Sequence, residues 1–218
     1  MTRPIFVLGT SGLAREMAQL IDQINREKTR WSFAGFVAAT GEVVGQDLRF
    51  GRVVGDDEWL LSSGVSADVV IGIGHPKVRA RALVAYLAAG PRLSFPNLIH
   101  PSASLDVQSV ALGQGNAVTA GCVFTCDIEI ADFNLFNWHT TVGHDVRMGS
   151  FSVLNPSVNV SGGVSIGDRV LVGTGAQILE GRAIGSDATV GAGAVVTQDV
   201  DIATTVVGIP ARPIATKV

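Results

Sequence analysis

The chain has 218 residues, enough for one large or two small domains, and its net charge of −3 gives no bulk electrostatic pull toward nucleic acid. Charged residues make up 16% and apolar residues 47%, a balance that suits a long core. Its two cysteines, Cys122 and Cys126, form no disulfide framework and no C-x-x-C pair. The start lacks the features of a signal peptide, and no apolar run is long enough to span a bilayer, so a soluble cytoplasmic protein without a membrane partner is expected.

Residues 4–9 read as a buried strand, followed by the turn Thr10-Ser11-Gly12 and a helix from Leu13 to Ile24 with Leu13, Met17, Leu20, Ile21 and Ile24 on one face. Strand, glycine turn and helix open a nucleotide-binding βαβ unit, in which amides at the helix start can hold phosphate. The string Gly9-Thr10-Ser11-Gly12 is shorter than G-x-G-x-x-G, and a plain α/β turn has the same composition. A second strand spans Phe33 to Val37, and Ala38-Ala39 stand where an acid that reads ribose or base is expected. A short strand at Val53-Val54-Gly55 leads into a helix start at Asp56-Asp57-Glu58, whose acids suit the helix dipole. Val69 to Ile73 is a fully apolar strand. Helix 77–89 carries Lys77, Arg79 and Arg81 near its start, a poor place for cations that do not face solvent or an anion; solvent is the expectation. Leu93 to Ile99 reads as a last strand, so residues 1–95 are expected to form a small parallel α/β (Rossmann-like) domain and 96–218 a second domain.

From Leu112 to Val196 an apolar residue recurs every sixth position without exception, through Val118, Phe124, Ile130, Phe136, Val142, Met148, Leu154 and onward. The residue four further on is usually small or β-branched, as at Cys122, Thr140, Val146, Ser152, Val158 and Ala176. A period of six fits neither a helix nor a lone strand. It fits a hexapeptide β-solenoid, in which three short strands make each coil and fifteen repeats make five coils. Both marked positions should point into the prism, and the glycine that often follows the apolar residue should let the chain turn a corner. The step from Leu105 to Leu112 is seven, so one extra residue is expected as a bulged corner near Ser109–Ala111. Val206 to Pro213 reads as a closing segment whose prolines cannot extend a ladder.

Two adjacent repeats, Phe136-Asn137-Trp138-His139-Thr140-Thr141 and Val142-Gly143-His144-Asp145-Val146-Arg147, hold two of the four histidines. His144 and Asp145 occupy third and fourth positions, where side chains leave the prism. A neutral imidazole there can take a proton from an amine or hydroxyl, and the adjacent carboxylate can orient it. His139 and His144 are five apart, which invites a zinc reading, but a third ligand about two coils upstream is missing, since Ala103 stands there with His100 three positions off.

The order Gly9-Thr10-Ser11-Gly12, Gly35-Phe36-Val37, Val54-Gly55-Asp56-Asp57, Ile73-Gly74 with Arg79, Leu98 to Ala103, the hexapeptides, Val142-Gly143-His144-Asp145 and Gly208 to Arg212 resembles the sugar O-/N-acetyltransferases of the left-handed β-helix class. Within that class it resembles the group acting on nucleotide-linked 4-amino-4,6-dideoxy sugars or sialic acid. Handedness and a homotrimer are implied by the resemblance alone, since parallel crossovers are normally right-handed. The resemblance implies an acyltransferase using acetyl-CoA, with no metal, in surface-glycan synthesis. It implies His144 as general base, Asp145 as its acidic neighbour and Asn137 as a contributor to the same corner. Gly162 corresponds to the glycine whose amide meets the thioester carbonyl. Thr174 and Ala192 fall where backbone meets pantetheine, and Arg212 where a cation meets CoA phosphate. Gly9, Thr10, Ser11 and Gly12 would hold the nucleotide-sugar, with His139 near the acceptor. Val153 replaces a frequent histidine, His75 a frequent Asn, and Ala38-Ala39 leave GDP or dTDP more open than UDP. Alternatives are O-acetylation of sialic acid or another sugar, a zinc lyase of the carbonic anhydrase type, and a non-catalytic scaffold.

Overall fold

The computed structural model describes residues 2–39 and 44–214. The chain divides into two compact units, Met1–Gly74 with Val78–Pro101, and His75–Lys77 with Ser102–Val218.

The first unit runs β1 (Arg3–Leu8), α1 (Gly12–Glu27), β2 (Trp31–Ala38), β3 (Asp47–Leu48), β4 (Gly51–Asp56), α2 (Asp57–Ser62), β5 (Ala67–Ile71), α3 (Pro76–Ala88) and β6 (Leu93–Ser94). The sheet order is β3-β4-β2-β1-β5-β6, parallel except for the β3–β4 hairpin. β1 from Ile5 to Leu8 and β5 from Ala67 to Ile71 are buried end to end, as strands covered on both faces must be; the one charged residue among them, Asp68, is paired with Arg3 and accepts from Trp31 Nε1, both at 2.7 Å. α1 seats Ala14, Met17, Ala18, Leu20, Ile21 and Ile24 against this sheet. Asp56 caps α2 by accepting from the Trp59 amide at 2.9 Å, and Asp57 and Glu58 follow in the first turn.

Two expectations from the sequence fail here. The strand foreseen from Leu93 to Ile99 is broken into Leu93–Ser94 and Leu98–Ile99, because Pro96 between them has no N–H for a ladder. Arg79 does not face solvent: it is 1% exposed, and its Nη1 donates to the carbonyls of Ile71 (3.3 Å) and Ile73 (2.7 Å) at the end of β5 and just beyond it. Burial lowers its pKa to about 10, so it remains a cation at neutral pH.

The second unit is a three-sided parallel β-helix. Its first sheet contains Val123–Phe124, Thr141–Val142, Asn159–Val160, Gln177–Ile178 and Val195–Val196; the second contains Val110–Leu112, Ile128–Ile130, Arg147–Met148, Ser165–Ile166 and Ala183–Ile184. The third contains Ala117–Val118, Leu135–Phe136, Val153–Leu154, Leu171–Val172, Thr189–Val190 and Thr205–Val207. Each strand pairs with its counterpart one coil on, as Thr141 does with Asn159 and Asn159 with Gln177. The chain therefore turns at three edges per coil. Edge A leads from the third sheet to the first, edge B from the first to the second, and edge C from the second to the third.

The period-six residues from Val118 to Val196 are buried, and Leu112 at the open end is half-buried. The position four on is also inside, apart from the half-buried Arg182, and it includes the polar Asn116, Asn134, Thr140 and Ser152. Three of these form an internal ladder: Asn116 Oδ1 accepts from the Asn134 amide, Asn134 Oδ1 from the Ser152 amide, and Ser152 Oγ from the Val170 amide, each at 2.8–2.9 Å. Such polar groups are tolerated in a core because each is paired. The extra residue before Leu112 lies in a turn at 107–109, slightly earlier than expected, with Asp106 accepting from the amides of Gln108, Ser109 and Val110.

The glycine that often follows the apolar residue has a different role from the one foreseen. The residue with positive φ at a corner is two places later, as at His139 (φ 59) and Asp145 (φ 58). The glycine is required by close approach instead: a Cβ on Gly173 would lie 2.4 Å from the Ala192 nitrogen of the next coil. The closing segment adds Arg212–Ile214 antiparallel to Thr205–Val207, with Pro213 opposite Val206. A proline fits there because the strand ends the sheet. No helix among the described residues is long and apolar enough to cross a membrane.

Candidate active site

Edge B carries His144, Asp145 and Gly162. The backbone at Asp145 takes a left-handed turn, which places its carboxylate beside the preceding side chain, and His144 Nδ1 meets Asp145 Oδ2 at 2.7 Å. Both side chains are open to solvent, 56% and 67% exposed. The hydrogen bond to Asp145 raises the imidazole pKa above its ordinary 6.5, aided by the charges of Asp145, Glu180 and Asp127. With Nδ1 engaged by the carboxylate, Nε2 is the nitrogen left to exchange a proton. One coil on, a Cβ added to Gly162 would stand 2.5 Å from both Nε2 and Cε1 of His144, so the ring lies flush against this glycine. Among the described residues the Gly162 N–H donates to no backbone carbonyl, while its neighbours Ser161 and Gly163 donate to Ile178 and His144. A base and a nearby uncommitted amide are the two parts that acyl transfer needs.

Edge A carries Asn137, His139, Thr174 and Ala192, the last two in equivalent places on successive coils. Asn137 therefore does not share a corner with His144, as was expected; the strand Thr141–Val142 separates the two edges. The reason is the three-edged coil, in which a step of about one repeat moves to the next edge. Asn137 is 6% exposed, and its Nδ2 faces Asn155 Oδ1 at 3.4 Å. Its Oδ1 is buried with no hydrogen-bond partner among the described residues. His139, Thr174 and Ala192 are exposed. His139 and His144 thus point from different edges, and no group of three metal-binding side chains exists among the described residues. Cys122 is buried in the core and Cys126 exposed. Arg212 is exposed on the last strand, its Nη1 donating to the Ala211 carbonyl at 2.9 Å. Val153 is 1% exposed, an apolar residue in an enclosed position. A concavity of about 1030 Å³ runs over the second sheet, lined by Gly113, Ile130, Arg147 and Ile202 among others, without a histidine or cysteine.

In the first unit, Gly9 (φ +103) turns the chain from β1 into α1, and its N–H donates to the Val37 carbonyl at 2.8 Å. Ser11 is the N-cap residue, but its hydroxyl makes no cap hydrogen bond and instead points to the Gly72 carbonyl at 3.4 Å. Ser11 and Gly12 are exposed, so the first-turn amides of a long helix face outward. Glu180, not singled out from the sequence, sits on edge B two coils beyond His144; the offset of a whole number of coils was the available signal.

No curated protein sequence matches the chain. The family model for bacterial transferase hexapeptide (six repeats) matches residues 163–198. The perosamine N-acetyltransferase of Caulobacter crescentus, solved as a His-to-Asn variant with CoA and GDP-perosamine, is 31% identical over 98% of this chain and 97% of its own, with a TM-score of 0.86. The chain belongs to the left-handed β-helix sugar acetyltransferases. Like its relatives, it is an acyltransferase. The acetyltransferase domain of PglB from Neisseria gonorrhoeae, solved with acetyl coenzyme A, is 29% identical over 98% of this chain and all 100% of its own, with a TM-score of 0.87. WeeI from Acinetobacter baumannii is 27% identical with the same coverage and a TM-score of 0.85.

Proposed function

We propose that the chain transfers the acetyl group of acetyl-CoA to the amino group of a nucleotide-linked 4-amino-4,6-dideoxy sugar. The observation that carries the chemistry is the His144 ring, oriented by Asp145 and seated against Gly162. His144 Nε2 removes a proton from the acceptor nitrogen as that nitrogen bonds to the thioester carbonyl carbon. The carbonyl oxygen becomes an oxyanion, which the Gly162 N–H stabilises. Collapse of the tetrahedral intermediate breaks the C–S bond, and the departing thiolate takes the proton from the imidazolium. No acyl-enzyme is needed, since the acceptor nitrogen attacks the thioester carbon directly. Cys126 lies one coil before His144 on edge B, its carbonyl accepting from the Asp145 N–H at 3.2 Å, but desolvation and the charges of Asp127 and Asp145 raise its thiol pKa and disfavour the thiolate a covalent step would need.

Residues 1–95 hold the nucleotide-sugar, its diphosphate at the Gly9-Thr10-Ser11-Gly12 turn, where Gly9 shapes the turn with its own N–H held by the Val37 carbonyl and the exposed Ser11 and Gly12 open the helix start; residues 96–218 hold acetyl-CoA. Asn137, His139, Thr174 and Ala192 lie on edge A while His144 and Gly162 lie on edge B. This split supports a homotrimer in which edge A of one chain faces edge B of the next, with Thr174 and Ala192 backbone along the pantetheine and Arg212 at a CoA phosphate. The enzyme works in the cytoplasm. Complexes of the Caulobacter enzyme retain CoA and GDP-perosamine after one histidine has been changed to Asn or Ala, which supports a histidine needed for chemistry rather than binding.

The test is thiol release from acetyl-CoA with GDP-, UDP- and dTDP-linked 4-amino sugars and sialic acid as acceptors. Turnover on a 4-amino sugar, lost in His144→Ala while acetyl-CoA still binds, is the expected result. Turnover on sialic acid alone, or wild-type rates in His144→Ala, would overturn it.

A further inference from the structure

A cavity of about 400 Å³ opens in the first unit beside the start of α1, lined by Gly12, Arg15, Glu16, Gln19, Arg49 and Phe50. Its volume falls in the usual range of small-ligand pockets, roughly 300–1000 Å³. We infer that this cavity is the nucleobase pocket, that Phe50 is its stacking platform, and that Glu16 selects guanine. The inference rests on the nucleotide-sugar reading above.

Four observations support it. First, the cavity adjoins the phosphate turn: Gly12 is shared between them, and the Arg15 guanidinium reaches back to within 3.9 Å of where a Gly12 Cβ would stand. A cation at a helix N-terminus is unfavourable with respect to the dipole unless an anion lies between the two. A diphosphate on the Gly9–Gly12 turn is such an anion, and its nucleoside end then extends into the cavity. Second, Phe50 is 37% exposed and holds φ at +80°, a conformation costly for a bulky residue and one the β3–β4 hairpin could have given to glycine. An aromatic ring kept in that place presents a π-face. Third, the Arg49 guanidinium lies 5.4 Å from the Phe50 ring centroid, which stiffens the platform and adds a second cation at the mouth.

Fourth, the polar groups of the cavity match one base edge. Glu16 is a half-buried carboxylate, able to accept two parallel N–H bonds. Guanine alone among the common bases offers adjacent N1–H and N2–H donors, and an N–H of Gln19 can meet its O6. Uracil and thymine present a single ring N–H between two carbonyls, which would face the carboxylate with repulsion. A wrong base leaves the half-buried carboxylate without its two donors, which is how a site built to hydrogen-bond one ligand rejects another. The acid missing after β2, where Ala38 and Ala39 stand, is thereby supplied from α1.

The test measures equilibrium binding of GDP, UDP and dTDP to the full chain, with acetyl-CoA binding as the control for an intact solenoid. Phe50→Gly removes the ring and relieves the backbone, so folding is not at risk. It is expected to weaken GDP binding by about ten-fold or more. Glu16→Gln is expected to weaken GDP about ten-fold and leave UDP and dTDP within about two-fold, which abolishes the preference. Wild-type protein that binds GDP tightly while both variants bind it equally well would refute the pocket and leave the acetyltransferase reading standing. A wild-type preference for UDP or dTDP would refute the guanine assignment. Absence of binding by any of the three would overturn the nucleotide-sugar reading and this inference with it.

Discussion

Gly162→Ala tests the site through its tightest contact. The ordinary van der Waals distance for a Cβ begins at 3.4 Å, and the added methyl would stand 2.5 Å from Nε2 and Cε1 of His144. The imidazole must therefore retreat by 0.9 Å (3.4 − 2.5) or swing away, which breaks its 2.7 Å bond to Asp145. A misplacement near 1 Å in a catalytic group costs on the order of 100-fold in rate. Stability should change little. Gly162 is not in the left-handed region, so alanine meets no backbone strain, and the ring that must move is on an exposed edge. The assay is steady-state thiol release at saturating acetyl-CoA and acceptor, paired with a thermal melt. We expect kcat to fall about 100-fold with KM for the acceptor within a few-fold and the melting temperature within about 2 °C. The backbone amide survives this substitution, so the loss isolates the placement of the base from the stabilisation of the oxyanion. Wild-type kcat in the folded variant would refute the placement of His144 against Gly162 as the working geometry.

The other expectations concern pH, assembly and stability. Because the Asp145 hydrogen bond raises the His144 pKa, the rising limb of kcat/KM should be centred above 6.5, and Asp145→Asn should move it toward lower pH while lowering the plateau; an unmoved limb would remove Asp145 from the mechanism. If edges A and B meet between chains, a one-to-one mixture of refolded or co-expressed His144→Ala and Asn137→Ala chains should recover about a quarter of wild-type activity, since random assembly pairs two intact edges at that frequency. Mixtures as inactive as their parents would place each site within one chain. Ser152→Ala should cost about 1–3 kcal/mol in urea unfolding, because the buried Val170 N–H loses its 2.8 Å acceptor; a difference under about 0.5 kcal/mol would mean the ladder relaxes to pair that group elsewhere.

Much of this molecule is legible as a one-dimensional pattern. A period of six with small residues four further on prescribes inward positions whatever the handedness, and the structure buries both sets, with Arg182 half-exposed. His144 and Asp145 were readable as an outward pair because third and fourth positions leave the prism. The assignment of Asn137 to the same corner failed because the coil turns the next repeat onto another edge. The glycine that often follows the apolar residue was visible, but its cause was not: turning and crowding both call for a missing Cβ, and only the coordinates put a backbone nitrogen 2.4 Å from where a Gly173 Cβ would stand.

The first unit shows the other side of that division. Alternating strand and helix signals sufficed to place its parallel sheet, since apolar runs and helix caps act locally. Arg79 looked like a solvated cation, for a sequence does not say which carbonyls a long side chain will reach; folding brought it to Ile71 and Ile73. The cavity between α1 and the β3–β4 hairpin likewise joins Glu16 to Phe50, which lie far apart in the chain and share no period. Repetition and amphipathicity are encoded in neighbours, so sequence alone determined most of the parallel sheet, the solenoid and its inward and outward faces. Which distant side chains meet, and what little space separates them, was settled by tertiary packing, because contacts on the scale of a single atom depend on every intervening turn.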